Sequence, residues 1–130
     1  MKTIEQEAAE KVYDKVSQME EREPKGSAKR NQYGAMAHAL PILIRTAGLA
    51  EALAFVQSRD KEHGSLALLE DLGQVVSSKN ADGFAEQSRQ ADLQEYMYLT
   101  HRALQALKWF KRFAQSVLDV SATQEDGGAR

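Results

Sequence analysis

The chain contains no cysteine. That absence excludes a disulfide framework, a thiolate zinc site and a cysteine nucleophile, and it is compatible with a reducing compartment. Only 2 prolines occur, and the 8 glycines follow no three-residue period, so fibrous and low-complexity classes are excluded. No apolar run reaches the roughly 18 residues that a membrane span needs, so no membrane partner is expected. The first segment, up to Glu23, is densely charged and holds no apolar stretch of signal-peptide type, which makes the cytoplasm the expected location. Glycine-rich phosphate loops, H-E-x-x-H and G-x-S-x-G are also missing.

What is present fits one globular unit. The chain has 130 residues, 42% of them hydrophobic and 28% charged, enough for a sizeable core but too short for a core plus a separate catalytic module. The net charge of −2 conceals a pattern. Residues 24–50 carry Lys25, Lys29, Arg30 and Arg45 with no acid, and residues 100–118 carry Arg102, Lys108, Lys111 and Arg112 with no acid. Two purely basic blocks in an acidic background suit an anionic partner or a complementary protein surface, or else are solvated side chains clustered by chance.

Hydrophobic spacing predicts helices throughout. Thr3 and Gln6 form a capping-box pair, followed by Ile4, Ala8, Val12, Val16 and Met19 on one face, and Pro24 should stop that helix near Glu23. Ser27 is the expected cap of a second helix, 28–47, with Tyr33, Met36, Leu40, Leu43, Ile44 and Ala47 as its apolar face. Asn31, His38 and Arg45 fall opposite, and Pro41 falls on the polar side, where it should kink the helix. Gly48 is the expected αL cap, and a short helix 49–59 follows with Leu49, Leu53 and Val56 on one face.

Asp60 is the expected cap of a fourth helix built on Leu66, Leu69, Leu72 and Val76, which Gly64 and Gly73 should weaken. Residues 82–90 read as a loop or short helical turn carrying Phe84. The longest helix is expected from Asp92 to about Val120. It is apolar on two sides, with Leu93, Tyr96, Met97, Leu104, Leu107, Phe110, Ala114, Val117 and Leu118 as one broad face and Tyr98, Trp109 and Phe113 as a second strip, so neighbours should pack on both. The expected fold is all-α: a compact bundle of five to six helices around a long C-terminal helix, with 1–120 as a single helical domain and 121–130 as a disordered tail.

Catalytic constellations do not assemble. His38, His63 and His101 lie on separate helices, and Asp60-x-x-His63 reads as a helix-start Asp beside a solvated His rather than a metal site. Glu70 and Asp71 diverge by about 100° on a helix and cannot share a proton. The expectation is a non-enzyme with no catalytic residue, no metal and no cofactor. The last helix offers more. His101, Lys108 and Arg112 stand at i, i+7 and i+11 on one face, with Gln105 inside the stripe and Lys111 at its edge. Such a row suits a phosphate backbone read without base specificity, or a polar face that keeps the domain soluble. Trp109 reads as a core residue rather than a stacking platform, because it lies with Tyr98 and Phe113 at helical spacing.

Two stretches carry a family resemblance: Leu40-Pro-Ile-Leu-Ile-Arg45-Thr-Ala-Gly48-Leu-Ala-Glu-Ala-Leu-Ala-Phe55-Val-Gln-Ser-Arg59, and Tyr98-Leu-Thr-His-Arg-Ala-Leu-Gln-Ala-Leu-Lys108-Trp109-Phe-Lys111-Arg112-Phe113-Ala114. Together with the length, they resemble the small all-helical subunit of the Cmr complex, the type III-B CRISPR RNA-guided effector. The resemblance implies a subunit that is not a nuclease. It implies stacking of several copies beside the subunits that hold the guide RNA, with a basic surface facing guide and target RNA. Its partners would be other Cmr subunits, further copies of itself, and the guide and target RNA backbones. Arg45, Arg59, Lys108, Lys111 and Arg112 occupy the family's basic positions within the matching motifs. The rival expectation is a helical adaptor whose basic patches dock an acidic protein.

Overall fold

Thr3 opens the first helix, α1 (Ile4–Arg22), through a reciprocal capping box. Its hydroxyl accepts from the Gln6 N–H at 3.0 Å, and Gln6 Oε1 accepts from the Thr3 N–H at 2.8 Å, satisfying two donors that a helix start leaves open. The helix stops at Glu23, extended ahead of Pro24. Ser27 then caps α2 (Ala28–Ala47), accepting from the Arg30 N–H at 3.1 Å. Gly48 ends α2 with φ 93° and ψ 159°, a positive-φ backbone that favours glycine but is not the αL cap that the sequence suggests. The third helix, α3 (Leu49–Arg59), follows at once. A computed structural model describes residues 1–59 and 63–122, with only the backbone of Arg59.

The expected cap Asp60 lies outside the described residues; α4 (Gly64–Ser77) starts behind His63, which has φ 68° and makes no capping side-chain bond. Residues 81–90 are a full helix rather than a loop or single turn. Asn80 caps this α5 (Ala81–Gln90) by accepting from the Gly83 N–H at 2.7 Å. Ala81, Phe84, Ala85 and Ser88 recur at helical spacing and are buried, so the segment folds by laying one narrow face on its neighbours. Asp92 caps α6 (Leu93–Ser116) by accepting from the Glu95 N–H at 2.9 Å.

Among the described residues there are six helices and no strand, so the all-α bundle expected from the sequence is observed. No helix among them is long and apolar enough to cross a membrane. Packing explains the two apolar sides of α6. Phe110 is fully buried and meets Tyr33 of α2 edge-on, with centroids 6.4 Å apart. On the other side Phe113 stacks on Trp109 at 5.7 Å and meets Tyr13 of α1 edge-on at 5.3 Å. Helix α6 therefore lies between α1 and α2 and also touches α4, while α2 is covered by α3, α4 and α6. Trp109 packs against the core but is only half-buried, and Tyr98, expected in the same strip, is 57% exposed. Leu93 and Met97 belong to the expected apolar face yet are 75% and 61% exposed, whereas Tyr96 in the same turns packs on the core and accepts from the Ala50 N–H at 3.0 Å. Ile4 is likewise exposed at the start of α1.

The largest departure lies at the end of α6. The helix stops at Ser116 rather than near Val120, but the chain stays in the core: Leu118 and Val120 are buried. Asp119, at φ 61°, turns the strap between them. The strap crosses the face of α2 that the sequence marks as polar. His38 Nε2 lies 3.0 Å from the Val120 carbonyl, and Val120 seats on Gly34, where an added Cβ would come within 2.6 Å of it. His38 is consequently buried, and Pro41 is buried as well, not solvent-facing. A disordered tail from 121 is an expectation that, apart from Ser121 and Ala122, falls outside the described residues. Gly64 and Gly73, expected only to weaken α4, are sites of close approach. A Cβ at Gly64 would run into the Gln32 side chain, and one at Gly73 would meet the Lys79 carbonyl at 2.6 Å.

Candidate functional site

Helices α2 and α6 leave a groove of about 520 Å³ between them. Its basic side chains come from both helices: Arg45 from the last turn of α2, and His101, Lys108, Lys111 and Arg112 from α6. Five of the six residues singled out in the sequence thus meet in one place. The sixth, Arg59, ends α3, and its side chain lies outside the described residues. Pro41 and Leu104 give the groove an apolar part, and Gln105 and Gln115 add amides. Among the described residues no carboxylate lines it. The stripe on α6 follows from spacing alone. The arrival of Arg45 depends on how α2 packs, and in the sequence Arg45 stands out as a site residue only through the family resemblance.

Arg45, His101, Lys111 and Arg112 are exposed and form no ion pair among the described residues. Lys108 differs. Its Nζ lies 3.1 Å from Glu5 Oε2 of α1 and 5.9 Å from the Trp109 ring centroid. Like charges brought together on a surface raise the local positive potential, and an anion that bridges them relieves their repulsion.

The first basic block does not act as a unit. Arg30 is buried: its Nε and Nη2 donate to the Leu118 carbonyl at 3.2 and 3.0 Å, and Nη1 donates to the Glu23 carbonyl at 3.1 Å. Lys25 pairs with Asp119 at 2.7 Å, which holds the Asp119 carboxyl below its usual range. Lys29 lines a different cavity with Lys15 and Arg22. In the second block, Arg102 turns back to donate to the Tyr98 hydroxyl at 2.9 Å and does not line the groove.

The carboxylates at 70 and 71 go separate ways. Glu70 Oε2 accepts from the Ala81 N–H at 2.9 Å, and Asp71 Oδ2 accepts from the Tyr33 hydroxyl at 2.6 Å. Burial raises the Asp71 carboxyl, against the Tyr33 hydrogen bond and the nearby Lys15 and Arg22 charges that lower it. Tyr33 is pushed well above the usual phenol range, first by burial and then by the Asp71 charge. Nothing in the residue pattern signals this pair, because it joins α2 to α4 across 38 positions. Among the described residues no three His, Cys, Asp or Glu side chains stand close enough to hold a metal.

Comparison with known proteins places the chain. A family model described as "CRISPR-associated protein (Cas_Cmr5)" matches residues 4–117. The CRISPR system Cmr subunit Cmr5 of Thermus thermophilus is 44% identical over 119 residues, which cover 92% of this chain and 99% of that protein. The crystal structure of a CRISPR-associated Cmr5 family protein from Thermus thermophilus matches with a TM-score of 0.79 at 41% identity, covering 90% of this chain and 99% of the other. The chain belongs to the Cmr5 family of CRISPR-associated proteins.

Proposed function

We propose that the chain is a non-catalytic small subunit of a Cmr ribonucleoprotein effector, acting in the cytoplasm in antiviral defence. It would stack along the complex beside other Cmr subunits and further copies of itself. The α2/α6 groove would grip the backbone of guide or target RNA. One observation carries this reading: five basic side chains from two helices converge on a groove that, among the described residues, no carboxylate lines. Phosphates are the common anion of every RNA sequence, so cations in a row with amides between them bind without reading bases. The name of the Thermus relative, a Cmr system subunit, supports the assembly.

The adaptor reading has an observation of its own. Leu93, Met97 and Tyr98 are exposed on the first turns of α6, and an exposed apolar cluster suits a protein contact. The two surfaces can serve different partners of one complex. Reconstitution with a Lys108→Ala, Lys111→Ala, Arg112→Ala chain separates the readings. Retention of the variant in the complex, with weaker binding to unrelated RNA sequences alike, supports the RNA groove. Loss of the variant from the complex, with the RNA affinity of the remaining subunits unaltered, supports the adaptor.

A further inference from the structure

We infer that Glu5 is a built-in competitor for the anion at Lys108, so that α1 sets the affinity of the α2/α6 groove. The inference rests on the groove holding phosphate and adds a residue that the groove itself does not contain. Lys108 is the one groove cation already paired among the described residues, with Nζ 3.1 Å from Glu5 Oε2. Glu5 is not part of the groove lining; it reaches the rim from the first turn of α1.

Three features hold it there. The aromatic contact of Tyr13 with Phe113 locks α1 onto α6, which fixes where the start of α1 lies. The positive end of the α1 dipole favours an acidic side chain in that turn. The Trp109 ring, 5.9 Å from Lys108 Nζ, flanks the ammonium. An ammonium is a point charge with three donors, so a phosphate arriving at Lys108 must displace the carboxylate or share the ammonium with it. Sharing places two anions side by side, which weakens the phosphate contact. The other groove cations carry no such competitor among the described residues, so the device tunes the affinity and does not close the groove.

The pair is exposed, and exposed pairs are weak and screened by salt. Removing the carboxylate should therefore tighten phosphate binding by about 1.5- to 5-fold at low salt, and by less as salt rises. Glu7 supplies the control. It lies in the same first turn, carries the same charge and is exposed, but it makes no ion pair among the described residues.

The test measures binding of a polyuridylate oligomer to the full chain at low and high salt. The proteins are the wild type, Glu5→Gln, Glu7→Gln, Lys108→Gln, the Glu5→Gln, Lys108→Gln double variant, and the triple groove variant. The expected result is tighter binding by Glu5→Gln than by Glu7→Gln, with the gain abolished in the Lys108→Gln background. Equal gains from the two glutamate variants would reduce the effect to net charge and overturn the inference. No gain from Glu5→Gln would overturn it too, and the RNA groove would stand if the triple variant still bound more weakly. A triple variant that binds as the wild type does, or a wild type with no affinity for the oligomer, would remove the groove and the competitor together. Thermal melting of each variant shows that it is folded, since capping at Thr3 and Gln6 is untouched by a change at residue 5.

Discussion

The buried guanidinium of Arg30 donates two hydrogen bonds to the carbonyl of Leu118, 88 positions away. This contact ties the strap that follows α6 to the start of α2, and with His38 on Val120 it converts a nominally polar helix face into core. Arg30→Met should keep the packing of the stem and lose the donors. The Leu118 carbonyl would then be buried without its charged partner, at a cost of about 2–3 kcal/mol. Urea unfolding should show a lower midpoint with an unchanged slope. A change below about 0.5 kcal/mol would mean that the Arg30 hydrogen bonds contribute nothing to the stability of the bundle.

Gly34 answers to the same strap. An alanine there would bring its Cβ to 2.6 Å from Val120 Cβ and Cγ1, so the side chain or the strap must move. Gly34→Ala should destabilise by about 1–3 kcal/mol, as overpacking does, despite the better helix propensity of alanine. Trimming the other partner should restore part of the loss: the Gly34→Ala, Val120→Ala double variant should be more stable than the sum of the two single changes predicts. Strict additivity would place the cause elsewhere.

Asp71 gives a pH signature with an unusual sign. Burial raises its folded-state value above the ordinary 3.8, so between 3.8 and that raised value the folded chain binds more protons than the unfolded one. Stability from this group is therefore present below 3.8 and is lost as pH rises through the window. Asp71→Asn removes the titration while keeping an acceptor for the Tyr33 hydroxyl. The stability difference between the variant and the wild type should shift in the variant's favour as pH rises above 3.8 through the raised value. A difference independent of pH would show that the carboxyl titrates alike in both states.

Trp109 should matter to the fold more than to a ligand. It stacks on Phe113, but it is only half-buried, so Trp109→Ala should cost about 2–3 kcal/mol, below the range for fully buried aromatics. A variant that melts like the wild type but binds RNA poorly would reassign the ring to stacking on a base.

The boundaries of α1, α2 and α3 were legible because their caps are local: Thr3 with Gln6, Ser27, Pro24 and Gly48 act within a few residues of themselves. The helix α5 was not, since Asn80 also serves as the end of the preceding turn and only Phe84 marks the segment as apolar. His38 and Pro41 were misread because periodicity locates a face and cannot tell what covers it; over His38 the cover is the strap at 118–120, far along the chain. Leu93 and Met97 erred the other way: they follow the apolar period but are exposed, while Tyr96 between them packs on the core. The basic stripe on α6 was visible as spacing on one helix. Its completion by Arg45, and the capture of Lys108 by Glu5, required the packing of three helices.

The central claim is that the α2/α6 groove holds RNA phosphates, and the salt dependence of RNA binding tests it most directly. Complexes reconstituted with the wild type and with the Lys108→Ala, Lys111→Ala, Arg112→Ala chain would be titrated with single-stranded RNA across a range of salt concentrations. The account predicts weaker binding and a shallower plot of log affinity against log salt. The slope should fall by roughly 0.7 for each phosphate that is no longer neutralised, about 2 for three phosphates. A variant that stays in the complex and binds with the same affinity and the same slope would contradict it.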